Sequence, residues 1–122
     1  MALARKYRLD KKSLENVFKK GKTVKSSFLF LKFINNGLSH GRAAAIVSSK
    51  VLKKAVSRNK TKKIFLETMS ANKILESPVD IIIVATPSIL GKTSKEINRE
   101  LEQTIKNFFV HIWICAKLYL ES

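Results

Sequence analysis

Cysteine, proline, glycine and acidic residues are all scarce in this chain of 122 residues. The single cysteine, Cys115, excludes an internal disulfide and a cysteine-based zinc site. Two prolines and four glycines leave no flexible linker or low-complexity segment. The N-terminus lacks an apolar run of signal-peptide length, so we expect a cytoplasmic protein. With 45% apolar residues, a chain of this length is expected to form one domain around one core.

The shortage of acidic residues makes the chain strongly basic, with 24 Lys and Arg against nine acids and a net charge of +15. Residues 1–63 carry nearly all of this charge, because their 18 cations face only Asp10 and Glu15. The remaining residues, 64–122, have a net charge of −1. Such self-repulsion predicts a polyanionic partner, either nucleic acid or an anionic membrane surface.

Periodicity predicts helices alternating with strands. Asp10 caps a first helix, and Thr93 with Glu96 forms a capping box before the last. We predict a helix at 11–20, a strand at 23–34, a second strand at 42–48 antiparallel to the first, a helix at 54–72, a buried strand at 79–85, and a final helix. The order is α-β-β-α-β-α, with room for one more short strand. It predicts an α/β (α+β) fold, a two-layer α-β sandwich with a small mixed sheet.

The segment KKAVSRNKTKK, residues 53–63, contains six cations and no acid. An apolar stripe through Ile64 and Phe65 indicates that it lies on an ordered helix. Lys54, Arg58 and Lys62 recur every four residues, and like charges at this spacing destabilise a helix. A phosphate backbone would offset that repulsion: Arg58 can grip phosphate with two hydrogen bonds, and Asn59 can reach a sugar or a base edge. The alternative is a solvated basic face that only aids solubility.

The same segment resembles the Arg-Asn-Arg signature of the bacterial ribonuclease P protein subunit, which lies on a helix after a strand ending in Val-Ser. Here Val47-Ser48 ends the strand, Ala55-Val56 and Arg58-Asn59-Lys60 follow, and Lys62-Lys63 complete the pattern. YRLDKKSLENVFKKGKTV is similar to the opening helix of the family, and VDIIIVATP to its last strand. The resemblance covers residues 5–107 in the right order.

The resemblance implies a fold and a function. The fold would be an α-β sandwich with an unusual left-handed crossover between parallel strands. The protein would bind the catalytic RNA of ribonuclease P and the 5′ leader of precursor tRNA. That RNA, with bound magnesium, would cleave the leader, so the enzyme is an endoribonuclease whose protein subunit has no catalytic residue, no metal site and no cofactor of its own. Neither a membrane nor a small-molecule substrate is implied.

The resemblance also implies site residues. The positions that match the surface facing the catalytic RNA are Lys50, Lys53, Lys54, Arg58, Asn59, Lys60, Lys62 and Lys63. The positions that match the leader cleft, between the first helix and the sheet, are Leu14, Phe18, Phe30 and Lys32. Single strands bind by stacking bases on aromatic rings beside cations, which Phe18, Phe30 and Lys32 could provide. A purely structural role in the core stays open for Phe18, Phe28 and Phe30.

We divide the chain into an RNA-binding domain at 1–107 and an apolar extension at 108–122. Its 13-residue apolar span at 108–120 is too short to cross a bilayer, which takes about 20 residues. We expect it to prolong the last helix and to pack on the domain.

Three other functions fit parts of the sequence. A non-enzymatic RNA-binding protein, such as a ribosomal or assembly protein, would have the same composition. A membrane-surface protein could use the basic half and the apolar extension. A DNA-binding protein is the third, although no helix-turn-helix spacing is present. An active site of the protein's own is not indicated, because His40 and His111 are far apart and the acids form no metal-binding pattern.

Overall fold

The computed structural model describes the backbone of residues 5–72 and 74–121 and the side chains of residues 6–72 and 74–110. Three α-helices and four strands account for most of this chain. In chain order they are α1 (Lys11–Lys20), β1 (Lys22–Lys25), β2 (Leu29–Asn35), β3 (Arg42–Ile46), α2 (Ala55–Ala71), β4 (Val79–Ala85) and α3 (Ser94–Glu121). The predicted helix at 11–20 and strand at 79–85 agree with the structure residue for residue.

The four strands form one mixed sheet in the order β1-β2-β4-β3. The pairs β1–β2 and β2–β4 are antiparallel, whereas β3 and β4 are parallel and are joined through α2. Helices α2 and α3 pack against each other and against one face of the sheet. The predicted α+β sandwich with a small mixed sheet is therefore confirmed. The left hand of the β3–α2–β4 crossover stays a prediction from the resemblance.

The single strand predicted at 23–34 is wrong, because this segment is a hairpin. Residues 22–25 form β1, which turns back through Ser26 and Ser27 and pairs with β2, so that Val24 lies opposite Leu31. The two serines are a weak turn signal, and the apolar residues around them concealed it. Phe28, which simple alternation placed on the same face as Phe30, precedes β2 and is buried in the core at 5% exposure.

The direction predicted for the second strand is correct, and its neighbour in the sheet is β4. β3 runs antiparallel to β2, as predicted, but the two strands are not neighbours: β2 pairs antiparallel and β3 parallel with β4, where Ala43 lies opposite Ile81 and Ala45 opposite Ile83. The branched run of β4 takes the central position between β2 and β3, because only a strand covered on both faces can bury so many apolar side chains.

The main core lies between one face of the sheet and helices α2 and α3. Alternate residues of β2 and β4 supply the sheet side, and Phe65, Leu101 and Phe108 supply the helix side, each essentially inaccessible to solvent. The rings of Phe33 and Phe108 meet edge to face, with centroids 4.7 Å apart. Each such side chain contributes about 1.5–3 kcal/mol by leaving water. This core holds α2, and so its basic segment, in a fixed place on the sheet.

Glu100 of α3 fastens the tip of the β1–β2 hairpin to the helical layer. Its carboxylate accepts a hydrogen bond from the hydroxyl of Ser26 and a second from the backbone N–H of Ser27, at 3.3 Å. These two bonds lower the pKa of Glu100, and the nearby charge of Lys92 acts in the same direction. The ionised form is therefore the one that stabilises the folded hairpin.

We expect Glu100→Gln to lower the free energy of unfolding at pH 7 by about 1 kcal/mol, the difference between a charge-assisted and a neutral hydrogen bond. Because the folded-state pKa lies below the usual glutamate value of 4.5, the contribution is present above that pH and is lost as the pH falls through the folded-state pKa. Chemical denaturation of both proteins at pH 7 and pH 3 measures this. An equal difference at the two pH values would contradict the electrostatic account.

Helix α3 continues to Glu121, through most of the predicted apolar extension. Its last described core contacts are the buried Phe108 and the partly buried Phe109, and Val110 is already 55% exposed. The expected packing of the extension on the domain lies outside the described side chains. Among the described residues, every helix is too short or too polar to cross a membrane.

Candidate RNA interface

Helix α1 covers part of the sheet face that α2 and α3 leave open. The helix begins at Asp10, whose side chain accepts a hydrogen bond of 2.7 Å from the N–H of Ser13; this bond lowers the pKa of Asp10. Val17 is the fully buried residue of the helix. The contacts of α1 with β2 and β4 fix it across this second face, opposite the main core.

A buried ion pair fastens α1 to the sheet. Arg42 of β3 donates to both oxygens of Asp80, from Nε at 2.9 Å and from Nη2 at 2.7 Å, and Nη2 also donates to the hydroxyl of Ser13 at 3.0 Å. Asn36 donates to the same carboxylate at 2.9 Å. Hydrogen bonding to Asp80 raises the pKa of Arg42. The Arg42 guanidinium therefore makes its hydrogen bonds within the fold, although Arg42 belongs to the basic half of the chain.

The part of this face that α1 leaves uncovered is an apolar strip with cations at one side. Residues directly opposite each other on neighbouring strands share a face. The pairing register defines one row of Lys25, Phe30, Val84 and Ile46, and a second row of Thr23, Lys32, Ile82 and Ala44, in which Ile82 is fully buried and the other three are at least partly exposed. Phe30 and Lys32 are partly exposed, and Phe18 of α1 is 40% exposed. We call this surface the open strip.

The structure places the four predicted cleft residues on or near the open strip. Phe30 and Lys32 lie in its two rows, and Phe18 and the partly buried Leu14 are on α1. Of the phenylalanines left open between core and cleft, Phe28 belongs to the core, whereas Phe30 faces the strip. An exposed ring beside two lysines is the arrangement that stacks a base and neutralises its phosphate.

The basic segment begins where the open strip ends. Ile46 is the last residue of β3, and residues 48–54 form a turn that leads directly into α2. Within this turn, the N–H groups of Val51 and Leu52 both donate to the carbonyl of Ser48, each at 3.0 Å. The side chains of Lys50, Lys53, Lys54, Asn59, Lys60 and Lys63 are exposed, and those of Arg58 and Lys62 are partly buried. We call these eight residues the basic ridge.

Arg58 differs from its neighbours, because its guanidinium is in use within the chain. One terminal nitrogen, Nη1, donates to the carbonyl of Leu52 at 3.0 Å and to the carbonyl of Lys53 at 2.8 Å. The sequence predicted two hydrogen bonds from the guanidinium to phosphate. In the structure, Nη1 instead donates to the protein backbone. The expectation that Arg58 lies at the helix surface among exposed lysines agrees with the structure.

The far end of the basic ridge is weakly paired to acid. Lys63 and Glu67 lie one helical turn apart, with 4.0 Å between Nζ and the carboxylate, and both side chains are about half exposed. An ion pair of this kind contributes little in water and leaves the lysine available to a stronger anion. The positive surface is thus densest in the 48–54 turn and the first two turns of α2.

Comparison with known proteins identifies the family. The family model for ribonuclease P matches residues 3–108. The chain belongs to the ribonuclease P protein family. Among its curated relatives, the ribonuclease P protein component of Legionella pneumophila (strain Corby) is 31% identical over 79% of this chain and 82% of the relative. That of Staphylococcus aureus (strain JH9) is 32% identical over 87% of this chain and 92% of the relative.

Solved structures of ribonuclease P proteins have the same fold. The Staphylococcus aureus protein superposes with a TM-score of 0.76 at 29% identity, covering 82% of this chain and 93% of that one. The Thermotoga maritima protein, at 24% identity, shares the fold with a TM-score of 0.73, covering 82% of this chain and 96% of that one. The predicted family is thus confirmed: the chain is a protein component of ribonuclease P, the ribonucleoprotein endoribonuclease of tRNA 5′ processing, and its partner is RNA.

Sequence reasoning missed part of the open strip of this ribonuclease P protein. Lys25 lies opposite Phe30, and Val84 and Ile46 continue the same row. In a single strand over 23–34, Lys25 would have shared a face with the buried Leu29 and was not considered. Recognising Ser26-Ser27 as a hairpin turn would have revealed it.

Proposed function

We propose that the basic ridge binds the catalytic RNA of ribonuclease P while the open strip binds the single-stranded 5′ leader of precursor tRNA. The observation that carries the proposal is the continuity of the two surfaces: the row through Phe30 ends at Ile46, two residues before the basic turn begins. A leader emerging from RNA held on the ridge would cross Ile46 and Val84 and then reach Phe30 and Lys25. The dense positive charge of the ridge supports its assignment to structured RNA.

We further propose that the RNA performs the phosphodiester cleavage and holds the magnesium it needs, as the resemblance implies. In this proposal the protein supplies electrostatic attraction and a grip on the leader, and the compartment is the cytoplasm. The decisive measurement is cleavage of precursor tRNA at low magnesium by ribonuclease P RNA with and without the protein. We expect strong stimulation by the protein. Binding of the RNA without stimulation would instead favour a non-enzymatic RNA-binding protein.

The leader assignment predicts a specific defect for Phe18→Ala. Loss of one stacked base should weaken binding of precursor tRNA by the holoenzyme about tenfold, within the roughly 1–3 kcal/mol of a base–aromatic contact, and should leave mature tRNA binding unchanged. Titrations with the two tRNAs measure this ratio. Val110→Ala, which removes an exposed apolar side chain from α3, is the matched control and should not alter it. Equal weakening toward both tRNAs would exclude Phe18 from leader recognition.

A further inference from the structure

The turn that carries much of the positive charge has only two serines at its start as turn-forming residues. Residues 48–54 read SSKVLKK and contain no glycine, proline, asparagine or aspartate. Its internal support is a pair of N–H bonds to the Ser48 carbonyl and a bond of 3.1 Å from the Lys50 N–H to the Ser48 hydroxyl. Val51 and Leu52 are partly buried against the core, which anchors the middle of the turn and not its end.

The end of the turn is also poorly prepared to start a helix. Lys54 occupies the N-cap position of α2, where its side chain, within the described chain, makes no capping hydrogen bond. No acidic residue lies in the first helical turn to offset the helix dipole. Consecutive cations at Lys53 and Lys54 repel each other and the positive end of the helix. The position of this junction must therefore be stabilised by another contact.

Arg58 provides that contact. From the first turn of α2, its Nη1 reaches back to the carbonyls of Leu52 and Lys53 at 3.0 and 2.8 Å, and its own N–H donates to the carbonyl of Lys54 at 3.1 Å. One residue thus binds three successive carbonyls of the turn. Hydrogen bonds from a charged donor are about twice as strong as neutral ones, and the planar guanidinium gives them a fixed direction.

We propose that Arg58 is a positioning residue, which holds the 48–54 turn against α2 so that Lys50, Lys53 and Lys54 form one surface for RNA phosphates. The inference rests on the proposed function of the basic ridge and assigns different tasks to its members. The exposed lysines neutralise phosphate, and Arg58 acts on the RNA through them. A lysine at position 58 would keep the charge, but its shorter side chain would not bring the ammonium to the position of Nη1, which donates to both carbonyls.

The test compares Arg58→Lys with Lys60→Ala, which removes a simple exposed cation two residues along the same helix. Amide hydrogen exchange in the free protein reports the turn, at Val51 and Leu52, and a core amide of β4 reports global folding. We expect Arg58→Lys to speed exchange in the turn about tenfold or more, with the β4 amide unchanged. Lys60→Ala should leave both unchanged.

Binding to ribonuclease P RNA over a range of salt concentrations gives the second readout. Arg58→Lys should bind about tenfold more weakly although total charge is conserved, whereas Lys60→Ala should only reduce the slope of log K against log salt by about 0.7–0.9. Wild-type affinity in Arg58→Lys, or weak binding with an undisturbed turn, would overturn the positioning role. If the wild type itself failed to bind this RNA, the proposed function would fail, while the exchange data would still decide whether Arg58 holds the turn.

Discussion

Replacing Asp80 with alanine is expected to lower the free energy of unfolding by about 3–5 kcal/mol. Asp80 is only 4% exposed and accepts hydrogen bonds from Arg42 and Asn36. Without the carboxylate, the Arg42 guanidinium, whose side chain is 21% exposed, would be left charged and mostly buried. Removing one partner of such a pair lowers the free energy of unfolding far more than replacing both partners with apolar residues, since the remaining charge keeps its desolvation penalty.

Equilibrium denaturation in urea checks the size of this effect. The control is Lys63→Ala, which removes the exposed Lys63–Glu67 pair and is expected to change stability by less than about 1 kcal/mol. A second variant, Arg42→Met with Asp80→Leu, removes both charges and should recover much of the loss, because apolar side chains of similar size suit the site. A loss below about 1 kcal/mol in Asp80→Ala would mean that the pair does not hold the fold.

The same ion pair connects stability to the leader site. Arg42 donates to Ser13 as well as to Asp80, so it ties α1 to β3 and β4, two of the four strands that carry the open strip. The position of Phe18 relative to Phe30 depends on that attachment. An Asp80 variant that remains folded should therefore also bind leader-bearing tRNA less selectively.

Local signals in the sequence were enough to predict most of the helices and the central strand. The Asp10 cap, the Thr93–Glu96 capping box and the branched run 79–85 all work over a few residues, and each correctly marks the start of a helix or the span of a strand. The apolar period of 54–72 likewise predicted α2, whose observed span is Ala55–Ala71. Elements of this kind can be read because their stabilising contacts are close in sequence.

Features that depend on distant partners could not be read in this way. The position of β3 beside β4 was decided by the need to cover β4, and Asp80 is tolerated in a buried strand only because Arg42 comes from 38 residues earlier. The role of Arg58 depends on the shape of a turn that its own side chain stabilises. The resemblance predicted which positions form the basic ridge. The structure distinguishes Arg58, which supports the turn, from the lysines that face solvent.

The basic ridge predicts a large, salt-dependent loss of RNA affinity when two of its exposed lysines are removed. Each phosphate contact contributes about 0.7–0.9 to the slope of log K against log salt, so Lys53→Ala with Lys60→Ala should reduce the slope by about 1.4–1.8. Because the electrostatic term vanishes near 1 M salt, the affinity at 0.1 M should fall by about 25- to 60-fold. The backbone carbonyl of Lys53 that binds Arg58 is untouched by this change.

The matched control removes the same charge from α3, outside the basic ridge. Lys95 and Lys106 are exposed on α3, outside the basic half of the chain, so changing both to alanine lowers the net charge equally. If the total charge alone attracts RNA, the two double variants will lose affinity to the same degree. If the basic ridge docks on phosphates, as its geometry indicates, the α3 variant will keep a slope close to that of the wild type. Filter-binding titrations with ribonuclease P RNA at four salt concentrations distinguish these outcomes.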